Sequence, residues 1–107
     1  MIEVRQYVDA LGRNHFERWF ERLDGVTRAR ITVTLERVEA GNLAAAKGVG
    51  GIFELRLDFG PGYRIYFGRD GETVVILLAG GTKKRQQDDI ARARTLWQEY
   101  KLRRREG

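Results

Sequence analysis

Between Phe53 and Phe67 the chain alternates apolar and polar side chains on both sides of Gly60-Pro61-Gly62. Phe53, Leu55, Leu57 and Phe59 fall on one face, and Glu54, Arg56 and Asp58 on the other. Tyr63, Ile65 and Phe67 resume the pattern against Arg64 and Tyr66. Pro61 fixes φ and the flanking glycines accept positive φ, so the chain reverses there. A period of two with one apolar face also fixes the register, because a one-residue slip would turn every apolar side chain to water. An antiparallel hairpin that needs a cover on one face is therefore expected. Asp70-Gly71 signals a second reversal. Thr73 to Ala79 is then continuously apolar, as in a central strand covered on both faces. Gly80-Gly81-Thr82 is expected to end it.

The rest of the sequence supplies covers. Ile2 to Val8 alternates, with Ile2, Val4, Gln6 and Val8 on one side, and predicts a half-buried strand. Leu11 to Asn14 reads as a turn. Asn14 and Glu17 have capping-box spacing, and Phe16, Trp19, Phe20 and Leu23 follow at helical intervals. Asp24-Gly25 breaks that helix. From Thr27 to Ala40 the pattern is ambiguous: Ile31, Val33 and Leu35 alternate, while Ile31, Leu35 and Val38 fit a helix. Length and the stop at Gly41-Asn42 favour helix. Residues 41–51, with four glycines and a short Ala run, read as a loop. A last helix is expected from about Gln86 to Leu102, with Ile90, Ala93, Trp97 and Tyr100 on one stripe. The order β-α-α-β-β-β-α predicts an α+β fold with a mainly antiparallel sheet backed by an αα-hairpin. With 107 residues, 42% of them hydrophobic, and no repeat or linker, residues 1–107 are expected to form a single domain.

Composition excludes several chemistries. There is no Cys, which removes disulfides and thiolate sites, and the single His cannot form a His cluster. Gly48-Val49-Gly50-Gly51 follows Lys47 but does not make a P-loop, and no cofactor is expected. Asp88 and Asp89 are adjacent on a helix and point about 100° apart, so no metal site is expected. His15 reads as an exposed structural residue. Met1 to Arg5 lacks a secretory pattern, and the aliphatic run Val74 to Ala79 is too short to cross a bilayer. A cytoplasmic protein without membrane contact is expected.

Charge is uneven. Residues 1–82 balance 11 basic against 11 acidic side chains, whereas residues 83–107 carry 9 basic and 4 acidic. This basic helix and tail suits a polyanion partner, or simply a solvated helix end. Strand alternation places Arg56, Arg64 and Tyr66 opposite the apolar face, and Lys83 and Lys84 could overhang them. If the αα-hairpin covers only the apolar face, these side chains form a phosphate site, Arg binding as a fork and Lys as a point charge. The alternative is a surface tied by Glu54–Arg56 and Asp58–Arg64 ion pairs, each worth about 0–1 kcal/mol. Such a cationic set can also act on RNA, which carries its own nucleophile in the 2′-hydroxyl. Arg56 and Arg64 would stabilise the phosphorane charge, and Lys83, Lys84 or Tyr66 would move protons. Arg85, Gln87 and Arg92 are candidate RNA contacts in the same segment.

The stretch from Phe53 to Phe67, with Glu54-Leu55-Arg56 and Gly60-Pro61-Gly62-Tyr63-Arg64-Ile65-Tyr66-Phe67, resembles a signature of small bacterial type II toxins of the RelE/ParE superfamily. The match is to the HigB-like branch, often labelled addiction module killer protein. Leu77 to Lys84, with Gln87, Asp89-Ile90 and Ala93, resembles its second signature. The resemblance implies a microbial RNase-like fold and a metal-independent mRNA interferase acting in the ribosomal A site. It further implies a helix-turn-helix antitoxin, and operator DNA bound only through the toxin–antitoxin complex. Arg56 and Arg64 fall on the strands where relatives place phosphate-contacting Arg, and Lys83 and Lys84 fall in the signature's lysine region. Relatives often carry a C-terminal His or Tyr as acid. Here no His follows His15 and Tyr100 lies on the core stripe, so Tyr66 is the substitute. The superfamily also holds ParE-like gyrase inhibitors, and a non-toxic basic RNA-binding module would share the same charge pattern.

Overall fold

In the computed structural model, which describes residues 1–106, the hairpin around Gly60–Gly62 forms as its alternation demands. Strands β3 (Ile52–Arg56) and β4 (Tyr63–Asp70) run antiparallel, with Phe53 opposite Phe67, Leu55 opposite Ile65 and Arg56 opposite Arg64. Strand β5 (Val74–Thr82) continues the antiparallel order, and β1 (Glu3–Gln6) adds in parallel to its other side. A short strand, β2 (Ala46–Val49), closes the far edge, giving the order β1-β5-β4-β3-β2. The remaining elements are α1 (His15–Glu21), α2 (Gly25–Glu39), a single 3₁₀ turn (Lys83–Arg85) and α3 (Gln86–Glu106).

The α+β fold with a mainly antiparallel sheet agrees with the sequence reading; the covering of the sheet differs. Helices α1 and α2 close one face over Leu55, Ile65, Phe67, Val75 and Leu77. Helix α3 closes the other over Tyr66, Ile76, Leu78 and Ala79 through Ala93, Leu96 and Trp97. The sheet is therefore a middle layer, and the face expected to stand open beneath Arg64 and Tyr66 is roofed. A register shift in β4–β5 after Tyr66 sends both Leu78 and Ala79 toward α3. The apolar run in β5 is thus continuous because both of its faces are covered.

Glycines set how closely the helices approach. A Cβ on Gly68 would lie 2.3 Å from the Trp97 ring, and one on Gly80 would lie 2.1 Å from Trp19. Gly80-Gly81 therefore does not end β5, as the sequence had suggested; the strand continues beneath α1 and α3, and the missing side chains make room for them. Residues 46–49, read as loop, form β2 because Gly50 and Gly51 both take positive φ (65° and 93°) and turn the chain onto β3. An edge strand held by backbone pairing carries little hydrophobic alternation. Strand β1 ends at Gln6 rather than Val8; Tyr7 turns into the α3 core and Val8 is exposed.

The caps follow their residues. Asn14 accepts from Glu17 N at 3.0 Å, and Asp24 accepts from Thr27 N at 2.8 Å. The Glu17 carboxylate takes Gln6 Nε2 at 3.1 Å and leaves the capping box half formed. The basic end of α3 is tied to the body. Arg103 donates to Val8 O at 2.9 Å, while Arg104 and Tyr100 both reach Asp70, at 2.6 and 2.5 Å.

Gly68→Ala is expected to force Trp97 off the sheet and lower stability by about 1–3 kcal/mol in urea denaturation. Gly48→Ala, on open backbone without positive φ, should stay within about 0.5 kcal/mol of the parent.

Candidate cationic site at the end of the sheet

Arg56, Arg64 and Gly81 lie side by side in one register row across β3, β4 and β5. Arg56 is exposed, whereas Arg64 is only 3% exposed. Arg64 donates from Nη1 to Gly62 O at 2.7 Å and sets Nε 3.7 Å from Glu54 Oε2. That Nε makes no hydrogen bond, so the pair is held by charge in a dry site. Glu54, 1% exposed, also accepts from Gln86 Nε2 at 2.7 Å. Neither pair of the alternative surface reading, Glu54–Arg56 or Asp58–Arg64, is present; Arg64 pairs with Glu54 in a buried site instead.

Tyr66 stands opposite Glu54 and is completely buried, with a hydroxyl that has no hydrogen-bond partner. Burial, followed by the negative charges of Glu54 and Asp89, pushes its pKa well above the usual phenol range. This corrects the expectation that Tyr66 shares an open face with Arg56. Covered by α3, it does not face solvent.

Gly62, at φ 77°, brings the neighbouring cations together: a Cβ there would lie 2.9 Å from Arg64 Nη1 and 3.2 Å from Lys83 Cβ. Lys83 and Lys84 are exposed on the 3₁₀ turn. Among the described residues, Arg56, Lys83 and Lys84 have no carboxylate within ion-pair distance. Like charges directly across a strand pair are destabilising. Arg64 is offset by Glu54, but Arg56 and the two lysines have no such partner.

The other predicted contacts separate. Gln87 is exposed, while Arg85 and Arg92 line a cleft of about 890 Å³ between α1 and α3. Asp89 lies in its floor, so close to the sheet that a Cβ on Gly81 would meet its Oδ2 at 1.9 Å. Burial raises the Asp89 pKa, against the opposing pull of Arg92 and Arg85. Asp88 is exposed, so the two carboxylates do not converge.

Asp9 escaped the sequence reading, and His15, read there as exposed, is partly buried in this cleft. His15 sits with Nε2 3.0 Å from Asp9 Oδ2. Asp9 also accepts from Leu11 N at 2.9 Å and from Arg13 N at 2.8 Å on its other oxygen. These bonds, the one to the Arg13 backbone foremost, hold its carboxyl far below the usual range. The only signal in the sequence is an Asp placed ahead of a tight turn.

Fold and site define a small α+β domain with unpaired cations gathered at one end of its sheet. Residues 18–100 match the family described as Phage derived protein Gp49-like (DUF891), and the chain belongs to that family, a group of toxin–antitoxin toxins in the RelE/ParE-like class. An uncharacterized protein of Haemophilus influenzae is 42% identical over 89 residues, spanning 81% of this chain and 90% of that protein.

Because burial raises the Asp89 pKa, its contribution to stability is largest below the unfolded value of about 3.9 and is lost as pH rises through the folded one. Asp89→Asn should therefore raise the urea midpoint near pH 7, and the gain should shrink as the pH falls toward about 4.

Proposed function

We propose that this protein is the toxin of a type II toxin–antitoxin module, of the HigB-like kind, and cleaves mRNA in the ribosomal A site. The observation that carries this reading is the row of Arg56 and Arg64 with Lys83 beside it, in which one cation is anchored by a buried carboxylate and the others are free. Membership in a toxin family supports it.

The chemistry needs no group from outside the chain and its substrate. The 2′-oxygen of the RNA attacks the adjacent phosphorus, the bond to the 5′-oxygen breaks, and a 2′,3′-cyclic phosphate and a 5′-hydroxyl result. Arg56, exposed in the row, stabilises the added charge on the phosphorane, and Arg64, held by Gly62 and Glu54, adds its field from beneath. Of Lys83 and Lys84, one takes the proton of the attacking 2′-hydroxyl and the other gives a proton to the leaving 5′-oxygen; the burial of Tyr66 leaves both transfers to them. A small cationic site of this kind depends on the ribosome to hold mRNA in the in-line geometry. The module would place the protein in the cytoplasm with a helix-turn-helix antitoxin, and operator DNA would be reached only through that complex. No helix among the described residues is long and apolar enough to cross a membrane.

The test is regulated expression in bacteria with primer extension on a translated mRNA and on the same transcript lacking its start codon. Cleavage confined to the translated transcript is expected. Arg56→Ala and the Lys83→Ala/Lys84→Ala pair should each reduce it by about 10²–10³-fold. Arg64→Ala is a poorer probe, because a buried Glu54 left unpaired costs about 3–5 kcal/mol of stability. Growth arrest with both transcripts intact would overturn the nuclease reading and point to a protein target such as gyrase. Absence of any growth effect would point to an RNA-binding module.

A further inference from the structure

The α1–α3 cleft adjoins the Arg56–Lys83 row at Gly81 and has its own charge pattern. One wall carries Arg18 on α1 and Arg22 at its C-cap, four residues apart, and the other carries Arg85 and Arg92. All four are exposed, and among the described residues none has a carboxylate within ion-pair distance. Like charges four residues apart weaken a helix, and facing the second pair across a cleft adds to the repulsion. The carboxylates present do not cancel it. Asp9 is held by Arg13, His15 and backbone N–H groups, and Glu99 accepts from Tyr7 and from Ala10 N. Asp89, buried in the floor, offsets Arg85 and Arg92 only in part. We infer that this cleft is a second binding site for RNA, taking the phosphodiester backbone of the strand that extends beyond the Arg56–Lys83 row.

Several observations favour a phosphate backbone over an acidic protein segment. Protein partners are anchored by buried apolar side chains. The large exposed apolar residues, Met1, Val8, Leu11, Val26, Val33 and Leu102, all lie outside the cleft lining. The free side chains on both walls are arginines, whose planar forks match phosphate oxygens. The cleft is continuous in sequence with the lysine pair: Arg85 directly follows Lys83 and Lys84 on the 3₁₀ turn. One strand could therefore pass from the proposed cleavage row into the cleft. His15, whose Nε2 is engaged by Asp9, lines the same cleft and keeps its other ring nitrogen free of protein partners among the described residues.

This inference rests on the reading that the protein acts on RNA, and His15, as the chain's sole histidine, allows the two to be tested apart. The probe is a 2′-O-methyl octaribonucleotide, which lacks the attacking hydroxyl and stays intact when titrated into ¹⁵N-labelled protein. The His15 imidazole signals are expected to shift saturably. Arg18→Gln/Arg22→Gln should weaken binding at least tenfold. Removing two phosphate contacts should also flatten the salt dependence of log K by about 1.4. Shifts at the Arg56 and Lys83 amides without a change at His15, or unaltered affinity and salt slope in the double variant, would overturn the cleft assignment and leave the cleavage row standing. Absence of shifts at all three would also overturn the cleft assignment, while the cleavage reading stands or falls on the primer-extension test. An octaglutamate peptide that shifts His15 more strongly than the RNA at equal concentration would overturn the assignment in favour of an acidic protein segment.

Discussion

Arg64 and Glu54 share a dry site beneath α3, and much of the molecule is arranged around that pair. Neither charge could stay buried alone, since an unpaired ion there would cost several kcal/mol. Together they fix more than each other. Glu54 reaches Gln86 and so holds the first turn of α3. Arg64 reaches Gly62 O and braces the reversal between β3 and β4, where Lys83 packs close by. One buried pair therefore links the hairpin turn, the start of the last helix and the placement of the surrounding cations. It also leaves Arg56, across the ladder from Arg64, without a carboxylate of its own.

Helix α3 divides this charged row into covered and open parts. Its apolar stripe seats Ala93 and Trp97 on the sheet, made possible by the bare backbone of Gly68. Its C-terminal end is pinned through Tyr100, Arg103 and Arg104. The excess positive charge of the last quarter thus has two uses. Part of it is structural and bound to Asp70 and to the carbonyl of Val8. The rest, at Lys83 to Arg92, faces solvent at the end of the sheet.

How much of this was legible depended on whether the signal was local. The β3–β4 hairpin and its register followed from alternation on both sides of Gly60-Pro61-Gly62, because burial of one face admits a single register. Caps at Asn14 and Asp24 were equally local. Strand β2 was not, since Ala46 to Val49 carries no alternation and is held by backbone pairing to β3. The burial of Tyr66 could not be read from β4 either. Its polar-looking face, Arg64 and Tyr66, is what a solvent-facing strand would show, and only the long-range docking of α3 reverses that meaning. The same holds for Gly80-Gly81. A glycine pair usually punctuates, yet here it admits Trp19 and Asp89 from opposite sides of the sheet. Asp9 was missed and His15 read as exposed because their partnership is made by a turn and their setting by a cleft between distant helices.

The unpaired cations have a thermodynamic consequence. Arg18, one turn from Arg22, costs the free protein a fraction of a kcal/mol, and Arg56 lacks the carboxylate that Arg64 has in Glu54. A fold selected for stability alone would place a carboxylate among them, as it does at Glu54 and Asp70. An anionic partner that fills these positions relieves the repulsion as it binds, and whatever binds only the folded state stabilises it by mass action. On the proposed RNA reading, the electrostatic optimum of this chain therefore lies in its bound form. A multiply charged strand meets that requirement better than a single ion, because it can engage the sheet end and the cleft together with phosphates already linked at a fixed spacing.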